Sequence, residues 1–206
     1  MADLFNYRLF RRRPGKFVPI KATVMFIDVV GFTTKGDNKA LRHAIRRLQE
    51  TITDVFDELH WDEEKRQNDV IMLPTGDGYG IAFEPNRVSD IAVLGYAAKL
   101  SKGLAAADVP IRMGINNGPC WVHTNLNDQL DVAGWGIIDA QRAMTVGEKN
   151  HILCTDQFAQ QYVQAESEPH LHAIGTYTVK QRTLTLFNYF SKTFGNPRTP
   201  PKKKES

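Results

Sequence analysis

The chain has 206 residues, of which 42% are hydrophobic and 24% are charged, so it is long enough and apolar enough to bury one domain core. This composition excludes a disordered, collagenous or coiled-coil chain. Its apolar runs are far shorter than the roughly 20 residues of a membrane span, and the N-terminus lacks the apolar segment of a secretory signal. We therefore expect a cytoplasmic protein that does not bind membranes. Two cysteines, Cys120 and Cys154, are too few for a disulfide framework.

The formal net charge of +3 is unevenly distributed along the chain. Residues 1–21 carry a charge of +5 and residues 198–206 carry +3, which leaves the body between them negative. A negative body argues against nucleic-acid binding as the main activity, because a polyanion needs a basic surface on the folded domain. We expect three parts: a basic N-terminal segment at 1–20, one domain at 21–191 and a basic, disordered tail at 192–206.

The hydrophobic pattern predicts a mixed α/β (α+β) domain. Continuous apolar runs indicate buried strands, and apolar residues three and four positions apart indicate amphipathic helices. An Asp-Gly pair between two of the strands is typical of a hairpin turn. In chain order, we predict a strand at 21–28, a helix at 38–59, strands at 69–73 and 79–83, a helix at about 88–106, strands at 110–116 and 118–123, a helix at 135–146, a strand at 152–154, a helix at 156–164 and a hairpin at about 172–180 and 183–190.

The first six elements follow the order of a ferredoxin-like βαββαβ core, with the remaining elements as a C-terminal extension. Right-handed crossover connections place the third strand beside the first strand and antiparallel to it. The end of the first strand, at Asp28, then lies next to the hairpin that carries Asp77. Two carboxylates at neighbouring strand ends, flanked by glycines, predict a site for a hard divalent cation such as Mg²⁺ or Mn²⁺. The same two residues also fit a strand end and a turn that bind nothing.

Other chemistries have less support in the sequence. Cys120-x-x-His123 and His151-x-x-Cys154 contain zinc-ligand types, but residues three apart on a strand point to opposite faces, so one ion could not readily bind both members of a pair. The glycines around Asp77 lead into a strand, whereas a dinucleotide-binding loop leads into a helix. The chain also lacks the lysine motif of P-loop nucleotidases and the serine motif of α/β-hydrolases.

Several motifs together closely resemble the catalytic domains of class III nucleotidyl cyclases. The pattern Phe-x-Asp-x-x-Gly-Phe-Thr, followed by Gly-Asp at this distance, is the specific part of the match, which runs from about residue 21 to residue 190. The motifs are Phe26-Ile27-Asp28-Val29-Val30-Gly31-Phe32-Thr33, Gly76-Asp77-Gly78, Arg112-Met113-Gly114-Ile115-x-x-Gly118, Asp131-x-x-Gly134 and Ala140-Gln141-Arg142.

The resemblance implies a homodimer with two composite active sites, each of which converts a nucleoside triphosphate into a 3′,5′-cyclic monophosphate and pyrophosphate. By analogy, Asp28, Asp77 and the backbone carbonyl of Val29 bind two divalent ions, Mn²⁺ or Mg²⁺. One ion would activate the 3′-hydroxyl and the other would hold the triphosphate. Arg142, contributed by the partner subunit, would stabilise the charge that develops on the phosphoryl oxygens.

The resemblance also implies where the nucleotide binds, and here the chain departs from the family pattern. Adenylyl cyclases carry a lysine and guanylyl cyclases a glutamate where this chain has Leu73. The asparagine that the family places four residues before its arginine is replaced by Ile138, and neighbouring Asp139 could take over its role. The substrate-binding positions implied by the resemblance are Phe32, Thr33, Leu73, Asp131, Ile138 and Lys180.

A compact chain with an altered base pocket resembles the Pycsar pyrimidine cyclases, bacterial antiphage enzymes whose product activates a separate effector protein. Asp131 can accept a hydrogen bond from uracil N3–H or from the cytosine amine, and a single acceptor favours UTP and cyclic UMP. The alternatives are a cytidylate cyclase, an adenylate cyclase, and an inactive nucleotide-binding or dimerisation module. Retention of Asp28, Asp77 and Arg142 favours an enzyme over the module.

Overall fold

The structure, a computed structural model, describes residues 17–31, 38–165 and 170–202. A twisted sheet carries helices on both faces. The strands are β1 (Val18–Val29), β2 (Val70–Pro74), β3 (Gly78–Phe83), β4 (Ile111–Thr124), β5 (Leu130–Ala133), β6 (Ile152–Thr155), β7 (Leu171–Val179) and β8 (Arg182–Tyr189), and the helices are α1 (Asn38–Glu58), α2 (Glu63–Asp69), α3 (Asp90–Ala106), α4 (Trp135–Val146) and α5 (Asp156–Ala165).

The strand order is β2-β3-β1-β4-β6-β8-β7, with β5 paired to β4 outside this path. β1 lies in the interior of the sheet and is antiparallel to both β3 and β4. β6 then adds parallel to β4, and the β7–β8 hairpin completes the far edge. The predicted ferredoxin-like core and its C-terminal extension are therefore confirmed.

Both faces of β1 are buried, which explains its continuous apolar run. Successive side chains of a strand point to opposite faces, so β1 supplies two cores at once. Met25 and Ile27 pack in the cluster beneath α1 and α3. Val24 and Phe26 pack in a second cluster on the other face, which α4 covers. In the described part of the chain, no helix combines the length and apolar character needed to cross a bilayer.

Three local features differ from the sequence prediction. β4 is one strand across the predicted break, because Asn117 stays in register with Thr23 of β1. α2 is a highly charged helix with no apolar stripe; Asp62 caps it by accepting a hydrogen bond from the Lys65 amide at 2.8 Å. β5 is four residues long and pairs only with the end of β4. Helices without an apolar stripe and very short strands carry no periodic signal.

Residues 192–202 also differ from expectation, because they lie against the domain instead of forming a disordered tail. His151 is fully buried and its Nε2 hydrogen-bonds to the carbonyl of Arg198 at 2.6 Å. The hydroxyl of Tyr177 donates to the carbonyl of Pro200 at 2.9 Å. These contacts join buried side chains of the domain to backbone carbonyls of residues 192–202. The side-chain composition of that segment therefore could not predict that it docks.

The close packing of α4 on β4 depends on Gly114. A Cβ at this position would collide with the carbonyl oxygen of Ala140 and the amide nitrogen of Met144, both in the backbone of α4. The helix can approach the sheet this closely only because residue 114 has no side chain. α4 carries Arg142, so the same contact sets where that arginine lies.

We predict that Gly114→Ala lowers the free energy of unfolding by about 1–3 kcal/mol, because overpacking forces α4 away from the sheet. Gly95→Ala is the matched control, since a Cβ there meets no atom within 4 Å. Gly95 lies on the exposed face of α3, so Gly95→Ala should leave the free energy of unfolding unchanged or raise it by up to about 1 kcal/mol. Urea unfolding followed by circular dichroism measures both. Equal effects of the two substitutions would contradict the packing argument.

Candidate active site

Asp28 and Asp77 meet at one end of the β1–β3 pair, as the topology predicts. Asp28 is the penultimate residue of β1 and stands opposite Gly78, the first residue of β3. Asp77 lies in the turn just before Gly78, and its carbonyl accepts a hydrogen bond from the amide of Val29 at 3.3 Å. The carboxyl group of Asp77 is near enough to that of Asp28 to act on its pKa.

Gly78 makes this approach possible. A Cβ on Gly78 would collide with the carbonyl oxygen of Ile27. The glycine that follows Asp77 therefore lets the turn between β2 and β3 lie directly against the end of β1. A side chain at this position would push Asp77 away from Asp28.

Arg112 holds Asp28 from the other side. It stands opposite Asp28 in the β1–β4 pairing, and its Nε and Nη2 donate to Oδ2 of Asp28 at 2.8 and 2.6 Å. Its Nη1 donates to the carbonyl of Gly147, just after α4, at 3.4 Å. Sequence reasoning assigned Arg112 to a motif but gave it no role. The signal that could have identified it is the register of β4 against β1.

Burial raises the pKa of Asp28 above its ordinary value. The hydrogen bonds and positive charge of Arg112 oppose this shift, whereas the nearby carboxyl of Asp77 adds to it. Two carboxylates in one partly buried place repel each other when both are ionised. A divalent cation between them would remove that repulsion, so the pair fits the predicted metal.

The protein offers only part of a metal coordination shell here. Among the described residues, no three His, Cys, Asp or Glu side chains cluster to form a complete site. Hard cations such as Mg²⁺ commonly take one or two carboxylates from the protein and the remaining oxygens from substrate phosphates and water. Asp28 and Asp77 match that arrangement.

The structure does not bring the four possible zinc ligands together. Cys120 packs in the cluster on the α4 face and Cys154 in the cluster on the opposite face. His123 stacks on Phe17 near the start of β1. His151 accepts from the amide of Glu148 and bonds to the C-terminal segment. These contacts satisfy the two histidines in separate parts of the domain.

The predicted base-reading residues lie on neighbouring elements of one subunit. β5 lies against β2 across the face that α4 covers. Leu73 on β2 and Leu130 on β5 pack in the same apolar cluster. Asp131 follows Leu130, and its Oδ1 accepts a hydrogen bond from the amide of Val132 at 2.7 Å. Leu73 is half-buried and offers no polar atom to a base.

Arg142 lies with a different set of residues from Asp28 and Asp77. Its side chain is 19% exposed, and Nη1 lies 3.9 Å from Oδ1 of Asp139, which is itself buried. Arg182, the first residue of β8, forms the closer ion pair with Asp139, at 2.6 Å. Ile138 is half-buried beside them. Asp139 therefore faces arginines of its own subunit.

The remaining predicted residues contribute less to the described site. Lys180 lies in the turn between β7 and β8 with a positive φ of 48°, two residues before Arg182. Phe32 and Thr33 lie outside the described residues. For these three residues, substrate binding stays a prediction.

Comparison with known proteins gives a fold match without a sequence match. No protein family model matches the chain, and no curated protein matches its sequence. The crystal structure of the adenylyl cyclase CyaB from P. aeruginosa superposes with a TM-score of 0.69 at 17% identity, covering 87% of this chain and 100% of that one. This chain has a class III nucleotidyl cyclase catalytic fold.

Two further solved cyclase domains support the same assignment. The guanylate cyclase domain of RhGC from Catenaria anguillulae, in complex with GTP, gives a TM-score of 0.62 at 18% identity, over 83% of this chain and 96% of that one. A non-canonical dimeric guanylyl cyclase domain of the RhoGC fusion protein from the aquatic fungus Blastocladiella emersonii gives a TM-score of 0.64 at 15% identity, over 84% of this chain and 97% of that one. The cyclase fold therefore spans most of the chain.

We predict that both thiols are inert in the folded protein. Burial raises the pKa of Cys120 to about 11, and it raises that of the fully enclosed Cys154 further. The thiolate is the reactive form, so little of it is present at pH 8. Ellman's reagent should react with almost no thiol in the native protein and with two thiols per chain after unfolding in guanidinium. Fast reaction of one thiol in the native protein would contradict the burial of that cysteine.

Proposed function

We propose that this protein is a nucleotidyl cyclase, in which the 3′-hydroxyl of a nucleoside triphosphate attacks the α-phosphorus and pyrophosphate leaves. The observation that carries the proposal is the meeting of Asp28 and Asp77 at the end of β1, within a fold shared with adenylyl and guanylyl cyclases. One of those neighbours was solved with GTP bound. Two adjacent carboxylates beside an arginine suit a magnesium- or manganese-bound triphosphate.

Asp28 and Asp77, with the carbonyl of Val29, would hold two divalent cations. Divalent cations held by these groups would supply a lower pKa for the attacking hydroxyl and compensation of the phosphate charge. Arg112 balances the charge of Asp28 and fixes the orientation of its carboxylate. Held in this way, the buried carboxylate of Asp28 is in position before the nucleotide binds.

Arg142 supplies positive charge to the phosphoryl oxygens, and we propose that it acts on the active site of the partner subunit. Two observations support this arrangement. Within the described part of one subunit, the contacts of Arg142 are with Asp139 and Trp135, and none is with the carboxylate pair. Large apolar side chains are exposed on the β4–β5 hairpin and at the start of α4, as expected of a surface that a second copy covers: Trp121, Leu126 and Trp135.

We propose UTP as the substrate and cyclic UMP as the product. Leu73 removes the polar group that distinguishes purine bases at this position, and Asp131 on the adjacent element offers an acceptor for uracil N3–H. CTP is the nearest alternative, since its amine could donate to the same acceptor. Adenylate cyclase is the second candidate function, favoured by CyaB and the other purine cyclases that share the fold.

We further propose that the product is a second messenger in a bacterial antiphage (Pycsar) system and activates a separate effector protein. The support for this role is the combination of a compact cyclase domain with an altered base pocket. This antiphage role does not depend on the basic N-terminal segment or on Lys180, for which substrate binding stays a prediction.

Incubation with Mn²⁺ and each of ATP, GTP, CTP and UTP tests the proposal, with mass spectrometry to identify any cyclic monophosphate. We expect cyclic UMP, and we expect Asp28→Ala and Asp77→Ala each to lower turnover at least about 10³-fold, since each removes a ligand of the cations. Asp57→Ala, a surface carboxylate on α1, is the control. Cyclic AMP would establish the second candidate, and unchanged turnover in either site variant would contradict the metal site.

Mixing two variants whose residual turnover is very low tests the composite site. Asp77→Ala and Arg142→Ala place their lesions in different halves of each site, so a heterodimer holds one doubly damaged site and one intact site. We expect mixing after mild dissociation to restore about a quarter of wild-type turnover, if the subunits exchange at random. Native mass spectrometry measures the heterodimer fraction. Heterodimers without activity would show that each site lies within one subunit.

A further inference from the structure

On α4, the buried carboxylate of Asp139 lies between two arginines, Arg142 of the same helix and Arg182 of β8. Asp139 is 2% exposed, and Arg182 approaches it with two nitrogens: Nη2 donates to Oδ2 at 2.7 Å, and Nε lies 2.6 Å from Oδ1. Arg142 is farther away, with Nη1 at 3.9 Å from Oδ1. Arg182 thus makes one hydrogen bond to the carboxylate, at Oδ2. Among the described residues, Oδ1 of Asp139, Nε of Arg182 and Nη1 of Arg142 are buried without a hydrogen-bond partner, so charge attraction holds them together.

An aromatic ring completes this cluster. Trp135, Asp139 and Arg142 are four and three residues apart on α4, so they share one face of the helix. The guanidinium of Arg182 lies 4.5 Å from the centre of the Trp135 ring, and that of Arg142 lies 6.0 Å from it. A planar guanidinium stacks favourably on an aromatic face, and a fork of two nitrogens suits a carboxylate. Arg182 combines the ring contact with one hydrogen bond to Asp139 and a second close nitrogen–oxygen contact.

The hydrogen-bond pattern leaves Arg142 with unused donors. Its Nη1 is buried, and among the described residues it donates no hydrogen bond. A buried arginine that spends its donors on neighbouring carboxylates cannot bind a ligand without losing those bonds. Arg142 instead is held by charge and packing. A group that stabilises a transition state is most effective when its position is set before the reaction begins.

We propose that Asp139, itself fixed by Arg182 and Trp135, is a positioning residue that holds the guanidinium of Arg142 in place for phosphoryl chemistry. This inference rests on the proposed function. It also assigns Asp139 a role other than replacing the family asparagine in contact with the nucleotide, because its carboxylate faces two arginines of its own subunit. Arg182 becomes part of the same apparatus, although the sequence alone gave it no role.

A double-mutant cycle separates positioning from simple support of the fold. Asp139→Asn keeps the shape of the side chain and removes its charge, and we expect kcat to fall about 10- to 100-fold with KM changed less than about threefold, since misplacing a catalytic group by about 1 Å costs this much. In an Arg142→Ala background the same substitution should cause no further loss. Equal losses in both backgrounds would overturn the proposal, as would unchanged kcat in Asp139→Asn.

Glu50→Gln is the matched control for the loss of a carboxylate. Glu50 pairs with Arg46 and Arg47 on the exposed face of α1, so it also faces two arginines, away from the site. We expect wild-type kcat in this variant. A fall in kcat as large as that of Asp139→Asn would show that the kinetics report general stability and would overturn the assignment.

Arg182 provides a second route if Asp139→Asn does not fold. Its side chain is about one-third exposed, and the glutamine amide in Arg182→Gln keeps an N–H donor for Asp139, so this is the milder change. We expect the same fall in kcat, again absent in the Arg142→Ala background, and partial recovery in Arg182→Lys, which restores charge without the fork or the stacking. A loss in Arg182→Gln that persists without Arg142 would overturn the proposal.

The mobility of Arg142 gives a readout that needs no turnover. In ¹⁵N relaxation of arginine Nε–H groups, assigned with Arg142→Lys, we expect an order parameter near 0.8 in the wild-type protein and below about 0.6 in Asp139→Asn. If the wild-type protein makes no cyclic nucleotide, the proposed function fails, and this measurement still decides whether Asp139 fixes Arg142. An unchanged order parameter would overturn the positioning role.

Discussion

The pairing of β1 with a neighbouring strand on each side is the constraint on which the candidate site depends. The pairing with β3 brings the Asp77 turn against Asp28, and the pairing with β4 brings Arg112 to the same carboxylate. The site is therefore set by backbone hydrogen bonds in the interior of a sheet, where register is strongly specified because both faces are buried. A shift of one residue would send Asp28 to the opposite face and separate all three groups.

Two charged clusters of the domain, one around Asp28 and one around Asp139, are built in the same way but carry opposite excess charge. In each, a buried carboxylate is held by an arginine from a different element: Arg112 of β4 holds Asp28 of β1, and Arg182 of β8 holds Asp139 of α4. Breaking such a pair leaves an uncompensated charge in a poor solvent, so both clusters resist rearrangement. At Asp28 a second carboxylate adds negative charge that suits cations, whereas at Asp139 a second arginine adds positive charge that suits phosphate.

Much of the fold could be predicted from the sequence, and the limits have physical causes. The apolar run of β1 and the three-and-four spacing of α1 reflect burial, so local pattern was sufficient to predict them. The meeting of Asp28 and Asp77 followed from topology and a short turn. The Arg112–Asp28 and Arg182–Asp139 pairs join residues 84 and 43 positions apart, and they depend on strand register and helix rotation, which composition does not encode.

The segment after β8 has a consequence for how the domain is synthesised. It supplies backbone carbonyls to three side chains buried at positions already made: His151, Tyr177 and Asn188. Until residues 196–200 have left the ribosome, those polar groups have no native partners, and a buried donor without a partner is costly. The domain therefore becomes fully stable only when residues 196–200 dock, and a nascent chain that stalls before them keeps these polar groups without native partners and is more open to proteases.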